Sequence, residues 1–142
     1  MLKERVGDLW ESCFKFSIVR NPFDRMASLF VTPEAPFSYY NAHAGFTMSE
    51  FLVNYRPMPW EYGVQCSDYI NEDVDMVIKY EERKEGIRRV NAIISEFGLQ
   101  IDDSVVKRNH PNKKSYFMEY FDAASIPMMK MMFQDDLRRW YD

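Results

Sequence analysis

The run Val19-Arg20-Asn21-Pro22-Phe23-Asp24-Arg25-Met26-Ala27-Ser28 carries side chains suited to holding an anion. Each arginine offers a planar fork of N–H donors that matches phosphate oxygens, and a serine hydroxyl adds one more donor. Arg25 and Ser28 stand three apart, which on a helix places them about 60° from each other and away from an apolar Phe23/Met26/Phe30 face. Arg20 falls where a strand would end, the place at which α/β folds bind ligands. A helix starting at Asn21-Pro22 aims its unpaired N–H groups and positive dipole end at the same spot. Arg20, Arg25 and Ser28 are therefore a candidate phosphate clamp. The same residue types also occur on ordinary solvated surfaces, and on this chemistry alone both readings stand.

The elements that must position this clamp follow from hydrophobic spacing. Residues 14–19 (Phe-Lys-Phe-Ser-Ile-Val) alternate and then run apolar, as in a mostly buried strand. Asn21 is a good helix N-cap, Pro22 suits the first helical position, and Asp24 completes a box-like start. Phe23, Met26, Ala27 and Phe30 then give the core-facing stripe of a helix over 21–30. A second strand is predicted over 75–80, and a helix over 82–97 with Ile87, Val90, Ile94 and Phe97 inward, stopped by Gly98. Residues 32–58 read as loops with a short helix near 49–54, residues 65–71 as a loop, and 102–115 as a polar loop. A last helix is predicted over about 126–141, capped by Ser125 because Pro127 is tolerated only in a first turn. The opening dozen residues read as a helix or its end, with Val6, Leu9 and Trp10 at helical spacing. Strand, helix, strand, helix in order implies an α/β arrangement in which 14–19 and 75–80 are neighbouring parallel strands.

Composition narrows the function classes. With 142 residues, 46% of them hydrophobic, the chain reads as one domain spanning 1–142 with a real core. A net charge of −4 argues against general nucleic-acid or anionic-membrane binding, while leaving room for a small anion where basic groups converge. Cys13, Cys66, His43 and His110 are the only cysteines and histidines and show no metal-ligand spacing, so no metal is expected. Reduced cysteines are the simpler reading, with a 13–66 bridge left open. No apolar run nears the roughly 20 residues a membrane span needs, and MLKERVGDLW lacks a signal-peptide core. A cytoplasmic chain is expected.

Residues 16–30, Phe-Ser-Ile-Val-Arg-Asn-Pro-Phe-Asp-Arg-Met-Ala-Ser-Leu-Phe, resemble the 3′-phosphate-binding motif of sulfotransferases that use 3′-phosphoadenosine-5′-phosphosulfate (PAPS), most of all the carbohydrate sulfotransferases and their bacterial relatives. Gln65-Cys66-Ser67-Asp68-Tyr69, Ile78-Lys79-Tyr80-Glu81-Glu82, and Asn109 followed by residues 116–122 fall in that family's order, so the resemblance covers most of residues 10–140. It implies that Arg20 and Ser28 hold the 3′-phosphate with Arg25 beside them. A late basic loop would close over the nucleotide through Asn109 and Lys113, with Arg108 and Lys114 nearby. Pro111 stands where the family often has a serine. The implied fold is a partial three-layer, P-loop-type sulfotransferase fold, a small parallel sheet flanked by helices. The implied reaction passes a sulfo group in line from PAPS to a hydroxyl, expected to be that of a carbohydrate. Nothing in residues 1–15 serves as the family's phosphosulfate loop, and its usual base lies upstream of the motif. The chain thus resembles roughly the last two-thirds of such a domain. A non-catalytic remnant, or a nucleotide- or protein-binding module, is the alternative. The face left open by the missing half is expected to be apolar and covered either by a second copy of the chain, as a homodimer, or by residues 1–12.

Other residues bear chemistry too. His43 reads as loop surface or as a general base, and His110 as surface or a phosphate contact. Trp60 and Tyr62 read as packing or as a ring-lined pocket. Met128, Met129, Met131 and Met132 fit adaptable core packing better than a soft binding surface. Glu81 and Glu82 read as ordinary helix-start acids.

Overall fold

The computed structural model describes residues 4–5, 7–31, 45–54, 65–70, 73–105 and 116–142. The chain is mixed α/β and mostly helical, built around a two-stranded parallel sheet. Strand β1 is Phe16–Val19 and β2 is Met76–Lys79, paired Phe16 to Met76 through Val19 to Lys79. The expected neighbouring parallel strands are therefore present, shorter than 14–19 and 75–80. At one end the Lys15 N–H donates to the Asp75 carboxylate (2.7 Å) in place of a ladder partner, and at the other Tyr80 opens a 3-10 turn.

Helix α1, Pro22–Val31, begins where its cap predicts: Asn21 Oδ1 accepts the Phe23 N–H at 2.9 Å. Its Phe23, Met26 and Phe30 enter a core with Met48, Phe51 and Leu52 of α2 (Met48–Asn54), Met129 of α4 (Ser125–Met132) and Phe133. Aromatic edges lock this core, with Phe23 meeting Phe121 at 5.1 Å and Phe30 meeting Phe51 at 5.4 Å. A smaller cluster joins Ile78 of β2 to Ile87 and Val90 of α3 (Arg83–Ile94). Gly86 makes that approach possible, because a Cβ there would collide with Ile78 Cγ2.

Several expectations need correction. The helix expected over 82–97 is α3 followed by a tighter 3-10 turn, Ser95–Phe97, closed by Gly98 at φ 70°. Phe97, expected inward, is exposed. The opening helix or helix end is present, with residues 4–5 helical and Gly7–Ser12 a 3-10 helix, though its Leu9 is exposed; the loop expected over 65–71 instead contains the 3-10 turn Cys66–Asp68. The last helix is two, α4 and α5 (Gln134–Trp140), parted at Phe133. Gln65 Oε1 accepts the N–H groups of Asp135 (2.9 Å) and Asp136 (3.3 Å), which starts a new helix there. Ser125 is not the cap of α4. Asp122 Oδ1 takes the Ala124 and Ser125 N–H groups at 3.0 and 2.8 Å, while Asp122 Oδ2 accepts the Ser49 N–H at 3.1 Å in the first turn of α2. No helix among the described residues is long and apolar enough to cross a membrane.

Candidate functional site

The register of the sheet builds the site. Because Val19 pairs with Lys79 in a parallel ladder, Arg20 and Tyr80 leave the sheet side by side. The Arg20 guanidinium lies over the Tyr80 ring at 4.9 Å, and its Nε donates to Asp24 Oδ2 at 2.6 Å. Both partners are largely buried, with 26% and 17% of their side chains exposed. Among the described residues, the terminal nitrogens of Arg20 make no hydrogen bond, so the fork is open. Arg83 packs on the same ring at 5.0 Å and pairs with Asp103. Beside them is an open cleft of about 650 Å³ lined by Asp24, Tyr80 and residues 81–85.

Asp24 therefore does not complete the capping box, because Arg20 takes its carboxylate. Glu81 supplies that contact from the end of β2 instead: Oε1 accepts the Asn21 N–H at 2.9 Å, and Oε2 accepts the Tyr141 hydroxyl at 3.1 Å. Burial, then the Glu81 charge, pushes the Tyr141 phenol up, so it stays a donor.

Arg25 faces elsewhere. Its Nη1 donates to Cys66 Sγ at 2.7 Å and its Nη2 to Asp136 Oδ2 at 3.2 Å, with Phe133 beneath at 5.2 Å. The Asp136 side chain is 1% exposed and also accepts the Cys66 and Ser67 N–H groups, both at 2.8 Å. A carboxylate so buried requires a cation, and Arg25 supplies it. Burial pushes the Cys66 thiol up by more than Arg25 draws it down, which disfavours the thiolate. Cys13 and Cys66 are free thiols, which closes the question of a bridge.

The structure thus joins Arg20 to Asp24 and Tyr80 and sets Arg25 apart in a packing cluster. Ser28 is half-buried on α1, one turn beyond Asp24. Asn109 and Lys113, with Arg108, Lys114, His43, His110, Trp60 and Tyr62, lie outside the described residues. Met129 is core and Met131 is exposed. No acid, cysteine or histidine group among the described residues has the makings of a metal site. Sequence reading missed Tyr80 and Arg83: the expected strands 14–19 and 75–80 would leave residue 20 beside residue 81, and only the observed register, Val19 with Lys79, puts Tyr80 beside Arg20. Comparison of the chain with known protein families, with curated proteins and with solved structures finds no match.

Proposed function

We propose that the β1–α1 unit is the 3′-phosphate-binding part of a sulfotransferase-type domain that uses PAPS. The observation that carries this reading is Arg20 at the C-terminal end of a parallel strand and the start of a helix, its terminal nitrogens without a hydrogen bond among the described residues. Arg20 and Ser28 hold the 3′-phosphate, and Asn109 and Lys113 close over the nucleotide. In the reaction, the bond from sulfur to the bridging phosphate oxygen breaks as the acceptor hydroxyl, on a carbohydrate, bonds to sulfur. The hydroxyl proton passes to a base, and 3′-phosphoadenosine-5′-phosphate leaves. Positioning and neutralisation of charge supply the rate. The surrounding fold is read as part of a three-layer sulfotransferase-like fold. A second reading, a nucleotide-binding module without turnover, uses the same anion site and omits the transfer step.

Calorimetry with 3′-phosphoadenosine-5′-phosphate and its 3′-dephospho analogue tests the site. The phosphorylated nucleotide is expected to bind with a Kd of about 0.1–1 mM and the analogue more weakly. Arg20→Ala removes a charge-assisted fork contact of about 1.5–3 kcal/mol, and Ser28→Ala a neutral donor of about 0.5–1.5 kcal/mol. Equal binding of the two nucleotides refutes the phosphate site. Discrimination without sulfo transfer to any carbohydrate tried supports the binding-module reading.

A further inference from the structure

We propose that Asp24 is a positioning residue of this anion site: it orients Arg20 through Nε and leaves both terminal nitrogens for one oxyanion. The inference rests on the phosphate-site reading above. An arginine side chain swings about several bonds, and a fork that must be ordered by its ligand binds more weakly than one ordered in advance. Here the plane is fixed from two sides. Nε is held at 2.6 Å by Asp24, and the face of the guanidinium lies on Tyr80 at 4.9 Å. Nε is the guanidinium nitrogen nearest the chain, so a carboxylate bonded there blocks neither outer nitrogen. An ordinary exposed (i, i+4) ion pair would define little. With only 26% and 17% of its two side chains exposed, this pair is better held.

The same carboxylate also carries a cost for the ligand, since its negative charge stands close to where a phosphate would sit. Orientation and charge therefore act in opposite directions, and they separate by substitution. Asp24→Asn keeps an oxygen that accepts from Nε and removes the charge. Asp24→Ala removes both. A merely structural role would make the two variants fail together in proportion to lost stability, which a thermal melt measures separately.

The test is calorimetry on the full chain with 3′-phosphoadenosine-5′-phosphate and the 3′-dephospho analogue, reading the ratio of the two affinities. Asp24→Ala is expected to cut that ratio about tenfold, in line with loss of one charge-assisted hydrogen bond. Asp24→Asn is expected to keep the wild-type ratio or exceed it by up to about threefold, from relief of the charge. If the alanine variant does not fold, Asp24→Ser replaces it, because serine suits a helix start but falls short of Nε. A wild-type ratio in Asp24→Ala or Asp24→Ser overturns the inference, as does an asparagine variant that loses as much as the alanine one. If the wild-type chain itself does not distinguish the nucleotides, the phosphate-site reading fails and this inference with it. A discriminating wild type with an unaffected alanine variant sinks the inference alone.

Discussion

Replacing Asp136 with alanine should be among the most damaging single changes in this chain. Its carboxylate receives three donors: the Cys66 N–H at 2.8 Å, the Ser67 N–H at 2.8 Å and Arg25 Nη2 at 3.2 Å. The side chain is 1% exposed and that of Arg25 13%, so water does not readily take over. Removing one partner of a buried ion pair costs about 3–5 kcal/mol, and part of that is the cation left without compensation. At about 3 °C per kcal/mol for a domain near this size, the midpoint should fall by roughly 10–15 °C. Urea unfolding gives the free energy directly, and an unchanged slope with denaturant keeps the comparison valid. Arg25→Met in the Asp136→Ala background should recover part of the loss, with a coupling of about 1–3 kcal/mol, because the stranded charge is gone. A loss under about 1 kcal/mol for Asp136→Ala, or strict additivity of the pair, would refute the assignment of Arg25 to packing.

Two further outcomes are expected. Gly86→Ala should destabilise by about 1–3 kcal/mol, because its Cβ collides with Ile78 Cγ2, and Gly86→Ala with Ile78→Ala should be less damaging than the sum of the singles in urea unfolding. Burial pushes the Asp122 carboxyl up, but the N–H groups of Ser125 and Ser49 outweigh it and hold the group below its usual value. Its contribution to stability is then full above the unfolded-state value near pH 4 and lost as pH falls through the lower folded one, so Asp122→Asn should flatten acid unfolding in that window.

What was legible in the sequence was local. The strand before Arg20, the Asn21 cap, Pro22 and the apolar stripe of α1 each depend on neighbours within a turn or two. Gly98 announced the end of the 3-10 turn that follows α3 for the same reason. What escaped was the choice of polar partner over long separations. Arg25 and Asp136 are 111 residues apart, and an arginine three places from a serine reads equally well as a ligand clamp or as half of a buried pair. The break at Phe133 was hidden too. Helical spacing runs through it, and only Gln65, some 70 residues earlier, draws the Asp135 and Asp136 N–H groups away.

A common device lies behind these misses. Glu81 takes the amide at the start of α1, Asp122 takes amides at the starts of both α2 and α4, and Gln65 does so for α5. In each case a helix N-terminus, where backbone donors lack intrahelical partners, is completed by a side chain from outside that helix. The short helices gain little from propensity alone, so such contacts and the core fix where they begin. For Arg20 the consequence is direct. The residue after it is held by Glu81, Glu81 is held by Tyr141, and its own guanidinium is held by Asp24 and Tyr80. The direction of that one fork is thus set by elements from both ends of the chain, an order fixed before any ligand arrives.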